Sequence, residues 1–260
     1  MKIEVCEHPI FIVGAPRSGT SMMHWALRQH SKLWGGPESD YLIPLIEALQ
    51  GVYTFGSSRG RFHWLSNQQV TEPEFLVHIG NGVNSLYMSR SGGQRWVDKT
   101  PQYTLHLDRV ADMFPGALFL FMVRDGREAV ESLRHFVNPM QHREACHTWH
   151  RFTDAGLAFA RSSRGQRLYT VRYPTIVKET EAEMRRISQF LEIDFEPETV
   201  EFIRSKPPIN SSFPDRPIRE RIDPAWVSWS KEECNLFHEI AGPLLIELGF
   251  EVDSAWIDVA

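Results

Sequence analysis

Cysteine is scarce here, and its absence as a scaffold is informative. Cys6, Cys146 and Cys234 are far apart and odd in number, which excludes a disulfide framework and argues against a zinc knuckle. Long hydrophobic runs are missing too. The longest, Ala117 to Val123, is strand-sized, far short of the ~20 residues of a membrane-spanning helix. The N-terminus lacks a basic stretch followed by an apolar one, so no secretory leader is expected, and the expected setting is reducing and cytoplasmic. Positive charge is not in excess. The net charge of −5 argues against general nucleic-acid binding. Eleven histidines include no H-E-x-x-H pattern, so no metal site is expected. His142 and His147, five apart, are expected on a polar helix face. What remains is ordinary for a soluble globular chain, 42% hydrophobic and 23% charged, long enough to bury one substantial core.

The most informative stretch is Pro9-Ile10-Phe11-Ile12-Val13-Gly14-Ala15-Pro16-Arg17-Ser18-Gly19-Thr20-Ser21. Ile10 to Val13 is a short apolar run, as in a strand covered on both faces. Gly14 and Gly19 suit a tight turn. Thr20 and Ser21 open an apolar-periodic segment (Met22, Met23, Trp25, Ala26, Leu27) that predicts a helix. Free N–H groups and the positive dipole end at such a helix start favour an oxyanion. The two glycines have the nucleotide-triphosphatase spacing, but Thr20 stands where that motif has its lysine, and Arg17 is the loop's cation. A metal-assisted ATPase or kinase is thereby disfavoured. Two readings stay open for the turn alone, phosphate binding or a glycine-rich turn without a ligand.

Further elements follow in order. A short strand is expected at Leu33 to Gly36 and a helix at Tyr41 to Leu49. Gly51 to Ser66, carrying Tyr53, Phe55, Phe62 and Trp64, reads as an irregular surface segment, either an acceptor-pocket wall or a satellite hydrophobic cluster. Pro73 to Met88 reads as helical at its start, Arg95 to Asp98 as a strand, and Tyr103 to Met113 as a helix. The clearest later strand, Ala117 to Val123, leads through Arg124-Asp125-Gly126-Arg127 into a helix at Glu128 to Phe136. A longer helix covers Arg143 to Ala160, a last strand Leu168 to Tyr173, and Pro174 begins another helical stretch. Lys206 to Pro224 reads as a long loop and Lys231 to Leu248 as an amphipathic helix. Strands alternating with helices predict an α/β fold: one three-layer domain of P-loop type over residues 1–260, with a mainly parallel sheet of about four to five strands between helices. Ligands of such folds gather beyond the carboxyl ends of the strands.

Pro16-Arg17-Ser18-Gly19-Thr20-Ser21, together with Val123-Arg124-Asp125-Gly126-Arg127-Glu128-Ala129-Val130-Glu131-Ser132, resembles the sulfotransferases that use 3′-phosphoadenosine 5′-phosphosulfate (PAPS). The resemblance runs from Ile10 to about Gly249, and is nearest to the protein-tyrosine sulfotransferase branch and its bacterial relatives. It implies that Pro16, Arg17, Ser18, Gly19, Thr20 and Ser21 hold the 5′-phosphosulfate, while Arg124 and Ser132 clamp the 3′-phosphate. A guanidinium gives phosphate directional, charge-assisted hydrogen bonds, and a serine hydroxyl adds one. The resemblance further implies Glu38, in Gly36-Pro37-Glu38, as catalytic base, and Lys99, in Asp98-Lys99-Thr100-Pro101, as catalytic lysine. Arg17 would assist them. Tyr173 is either a nucleotide contact or a packed aromatic. Further 3′-phosphate contacts are implied among Arg216, Arg219 and Arg221, with Arg219 favoured. Without this context, Arg124-Asp125 would read as a surface ion pair. Glu38 also suits the helix start that follows it.

The implied activity is transfer of a sulfuryl group from PAPS to a hydroxyl-bearing acceptor, a small molecule, without a metal ion. A P-loop nucleotide or small-molecule kinase and a non-catalytic nucleotide-binding module are the alternatives.

Overall fold

The computed structural model describes residues 4–135, 138–205 and 224–258. Five strands carry the chain's centre: β1 (Ile10–Gly14), β2 (Leu33–Gly35), β3 (Arg95–Lys99), β4 (Leu118–Val123) and β5 (Leu168–Arg172). All four pairings are parallel, in the order β2-β3-β1-β4-β5. Helix α1 (Thr20–Leu27) follows β1, and α2 (Leu42–Ser57), α3 (Trp64–Asn67) and α4 (Glu72–Ser91) lie between β2 and β3. Helix α5 (Leu107–Met113) precedes β4, and α6 (Gly126–Arg134) and α7 (His142–Arg161) follow it. After β5 come α8 (Tyr173–Lys178), α9 (Thr180–Leu191), α10 (Pro197–Ser205) and α11 (Lys231–Glu247).

Parallel strands covered on both faces must be apolar throughout, and β1 and β4 are. Side chains alternate across the sheet. Ile10, Ile12, Leu120 and Met122 pack with Met23 and Leu27 of α1 and Ile187 and Leu191 of α9. Phe11, Val13, Phe119 and Phe121 face the other way, towards Val110 of α5, Trp149 of α7 and Phe237 of α11. The expected α/β class and mainly parallel sheet are therefore present, with five strands.

Four local expectations differ from the structure. The segment Gly51 to Ser66 is not irregular: α2 continues to Ser57, and short helical turns at Gly60–Phe62 and Trp64–Asn67 complete it. Tyr53 lies against Phe75 and donates from its hydroxyl to the Val70 carbonyl at 3.0 Å. Those tertiary contacts outweigh the two glycines' low helix propensity. Phe55, Phe62 and Trp64 are exposed. Helix α4 runs well beyond its start, from a Thr71–Glu74 capping box to Gly92. Its Gly80 allows a close crossing, because a Cβ there would lie 2.0 Å from the Met113 carbonyl oxygen. The expected helix from Tyr103 begins as a tighter 3₁₀ turn, Pro101–His106, before α5. His142 is not on a polar face: its ring meets Trp229 edge-on at 4.6 Å and reaches the Glu233 carbonyl at 3.0 Å. His147 is exposed on α7.

Candidate active site

The carboxyl ends of β1, β3 and β4 bring most of the expected site residues to one edge of the sheet. The turn after β1 is held from several sides. Gly14 donates its N–H to Thr104 Oγ1 at 2.7 Å, and Ser18 N–H closes on the Ala15 carbonyl at 3.1 Å. Arg17 has a φ of +73° and Gly19 one of +97°. A left-handed arginine costs on the order of 1–2 kcal/mol, and such strain persists only where surrounding contacts hold it. Two contacts do so. Arg17 donates from Nε to Ser132 Oγ at 2.9 Å, and Arg124 Nη1 donates to the Arg17 carbonyl at 3.2 Å. The first loop is thus joined to the end of β4 and to α6.

Two guanidiniums face the same spot. Burial lowers the Arg17 pKa below the usual arginine value, and the positive charge of Arg124 lowers it further. Arg124 reaches Glu128 at 3.4 Å and lies 4.7 Å from the centre of the Tyr173 ring. Tyr173 also backs the turn: a Cβ on Gly19 would sit 2.6 Å from its Cδ2 atom. Helix α1 follows Gly19 with no side-chain cap, so no cap side chain takes up its first N–H groups. The Ser18 hydroxyl is buried and has no hydrogen-bond partner. A buried, unsatisfied hydroxyl beside an uncapped helix start suits an anionic ligand.

Lys99 lies across from this turn. In the sheet it is level with Ile12, two residues before Gly14. Its side chain is buried, only 3% exposed, and pairs with the carboxylate of Glu38, which is 34% exposed. The carboxylate is therefore the member of the pair that meets incoming molecules. His24 of α1 is close to the same group. Burial pushes its pKa down to about 3, with help from the charges of Lys99 and Arg28. Its Nε2 is buried without a hydrogen-bond partner.

Arg17, Ser18, Gly19, Arg124, Ser132 and Tyr173 form one cluster, and Glu38 and Lys99 form a pair at the neighbouring strand end. Pro16, Thr20 and Ser21 occupy the same turn and the first helical residues. Arg216, Arg219 and Arg221, with the expected loop from Lys206, lie outside the described residues. Sequence reasoning assigned no role to His24, Ser39, Tyr87, Asp98, Tyr103 or Thr104. Asp98 carried a signal all the same: strand alternation puts it on the side of buried Trp96, where a charge needs dedicated partners.

Among the described residues, no group of three or more His, Cys, Asp or Glu side chains gathers as a metal-binding cluster. No helix there is long and apolar enough to cross a membrane.

Helices on both faces of a parallel sheet, with polar groups at its carboxyl edge, define an α/β protein of the class whose ligands gather at the strand ends. The chain belongs to the sulfotransferase family, whose model matches residues 9–197. It is similar to a putative protein-tyrosine sulfotransferase of Caenorhabditis briggsae, 23% identical over 96% of this chain and 91% of that protein. It is also similar to protein-tyrosine sulfotransferase A of Caenorhabditis elegans, at 26% identity over 93% of this chain and 67% of the relative. Among solved structures, the sulfotransferase domain from the curacin biosynthetic pathway superposes with a TM-score of 0.60. That match has 20% identity and covers 93% of this chain and 98% of the other. Mouse sulfotransferase SULT7A1, complexed with PAP, matches at a TM-score of 0.54 with 11% identity, over 95% and 90% of the two chains. At those identities the structural matches speak to the fold alone.

Proposed function

We propose that this chain is a PAPS-dependent sulfotransferase, one domain over residues 1–260, that uses Glu38 as its general base. The observation that carries the reading is the Arg17–Ser132 hydrogen bond. It joins the glycine turn to α6, so that two separate phosphate-binding motifs serve one ligand with two phosphate groups. The unsatisfied Ser18 hydroxyl and the uncapped start of α1 suit the 5′-phosphosulfate. Arg124 and Ser132 suit the 3′-phosphate, with Tyr173 beside them and Arg219 as a further expected contact. The family match over residues 9–197 supports the same donor class.

When bound, the donor supplies an activated sulfuryl group whose sulfur gains a bond to the acceptor oxygen as its bond to the 5′-phosphate oxygen breaks. Glu38 accepts the proton of the acceptor hydroxyl, its carboxylate being the exposed end of the pair with Lys99. Lys99 and Arg17 stabilise the negative charge that grows on the departing phosphate oxygen and the sulfuryl oxygens. Arg17 to Ser21 orient those oxygens through backbone N–H groups and hydroxyls, and Pro16 shapes the turn that presents them. The acceptor in this reading is a hydroxyl-bearing small molecule. The three cysteines, all free, suit a reducing compartment such as the cytoplasm.

The experiment is a thermal shift with adenosine 3′,5′-bisphosphate (PAP) set against ATP plus magnesium. A ligand at about 100 times its Kd adds about 2.7 kcal/mol to stability, so the expected outcome is a clear rise in Tm with PAP and a smaller one with ATP. A larger rise with ATP and magnesium would favour a kinase. A rise with PAP but no sulfuryl transfer to any acceptor would favour a binding module.

A further inference from the structure

Strand β3 ends on two charged residues in succession, and alternation sends them to opposite faces of the sheet. Val97 packs with the α1 layer and Trp96 with the opposite one. Lys99 therefore shares the α1 face, while Asp98 lies on the side of Trp96. The segment after β2 is gripped at the same height from both faces. Glu38 meets Lys99 on one, and Ser39 meets the surroundings of Asp98 on the other.

Asp98 is buried and accepts hydrogen bonds from three hydroxyls: Tyr87 at 2.9 Å, Tyr103 at 3.2 Å and Thr100 at 3.2 Å. Those hydroxyls also engage every polar atom of Ser39. Its N–H donates to Thr100 Oγ1 at 2.9 Å, its carbonyl lies 3.1 Å from the Tyr103 hydroxyl and shares that one proton with Asp98, and its hydroxyl pairs with Tyr87. Each hydroxyl has one proton to give. The Tyr87 and Thr100 protons go to Asp98, so the Ser39 N–H donates to Thr100 Oγ1, and the Ser39 hydroxyl, which contacts both Tyr87 and Asp98, gives its one proton to one of them. Two chains thus run from Ser39 to the carboxylate, one through Tyr87 and one through Thr100, beside the direct contact of the Ser39 hydroxyl with Asp98, and such chains polarise and stiffen one another.

We propose that Asp98 is a positioning residue for the reaction: it draws both chains to itself, fixes Ser39, and thereby holds Glu38 where it meets Lys99 and the acceptor. This rests on the reading of Glu38 as base. Asp98 does not touch the reacting atoms. Its effect is on the placement of the residue beside Ser39, and a displacement of about 1 Å in such a group can cost on the order of 10²-fold in rate.

Thr100→Val and Tyr87→Phe each cut one chain while keeping shape, and are the informative variants because Asp98→Ala leaves three hydroxyls without their acceptor. Two readouts are taken on the full chain. One is hydrogen exchange of peptides spanning residues 36–41. The other is release of PAP from PAPS, alone and with 2-naphthol as acceptor, alongside the Kd for PAP. The expected result is exchange at 36–41 faster by about tenfold or more, turnover lower by about tenfold or more, and a Kd for PAP within about twofold of the parent. Asp98→Asn, which keeps an acceptor oxygen, should fall between the parent and Asp98→Ala. Unchanged exchange at 36–41 in both single variants would overturn the proposal. So would a loss of turnover matched by an equal loss of PAP affinity. Glu38→Gln serves as the separate control. Normal turnover in that variant removes Glu38 from the base role, and the exchange data still decide whether Asp98 holds the segment.

Discussion

Cutting the Lys99–Glu38 pair from one end should not equal cutting it from the other. Lys99 is 3% exposed and Glu38 34% exposed, so the two charges differ in what they lose with their partner. Removing one partner of a buried pair costs about 3–5 kcal/mol, chiefly because a charge stays behind in a poorly solvated place. In Glu38→Ala that charge is the buried ammonium. Partial exposure of the carboxylate lets water approach the vacated side and Lys99 keeps a further contact, so the cost falls to about 2–3 kcal/mol. In Lys99→Met the remaining charge is a carboxylate already one-third in solvent, and the new side chain has similar length and no charge to desolvate. Its cost should stay within about 1 kcal/mol. For a chain of this size the first change lowers Tm by roughly 4–12 °C. Urea unfolding at 25 °C, followed by tryptophan fluorescence with midpoint and slope fitted together, measures both. Both variants should lose most sulfuryl transfer, so Lys99→Met becomes a near-normally stable, inactive protein. Equal destabilisation, or a greater loss in Lys99→Met, would refute the burial argument.

Three other outcomes are expected. Arg124→Ala should weaken PAP binding by about 10–100-fold and weaken binding of adenosine 5′-phosphosulfate, which has no 3′-phosphate, by clearly less, through the lost contact to the Arg17 carbonyl. Equal losses in calorimetric titrations with the two ligands would remove Arg124 from that contact. Gly19→Ala places a Cβ 2.6 Å from Tyr173 at a φ of +97°, so it should cost about 1–3 kcal/mol and reduce PAP affinity, as read by urea unfolding and titration. His24 has its pKa at about 3 in the folded protein against about 6.5 when unfolded. Between these values only the unfolded chain takes up the proton, so stability should fall as pH drops, by at most about 1.4 kcal/mol per unit. From pH 7 through 6 to 5 the urea midpoint of the parent should fall relative to that of His24→Leu, and parallel slopes would contradict the assignment.

The legibility of this chain follows the range over which each feature is encoded. The turn from Gly14 to Ser21 and the apolar run of β4 are local patterns, and the structure places both as expected. The full length of α4 was not legible, because Gly80 and Gly82 lower its helix propensity and the close passage of Met113 at Gly80 arises only in the fold. The course of α2 beyond Leu49 was hidden similarly, since Tyr53 depends on Phe75 and Val70 for its place. Glu38 and Lys99 were found through resemblance, 61 residues apart in the chain, and the fold pairs them. The hydroxyl chains from Ser39 were not found. Their members are 48 and 61 residues from it, and serine, threonine and tyrosine carry no pattern that marks such a meeting.

Sulfuryl transfer with Glu38 as base is tested most directly by incubating the full chain with PAPS carrying radiolabelled sulfur and a panel of hydroxyl acceptors, comparing the parent with Glu38→Gln. Label on an acceptor oxygen together with stoichiometric PAP is expected. Glu38→Gln should lose most of that transfer and keep its PAP affinity. Transfer at the parent rate by Glu38→Gln, or PAP release with no labelled acceptor from any hydroxyl in the panel, would contradict this reading.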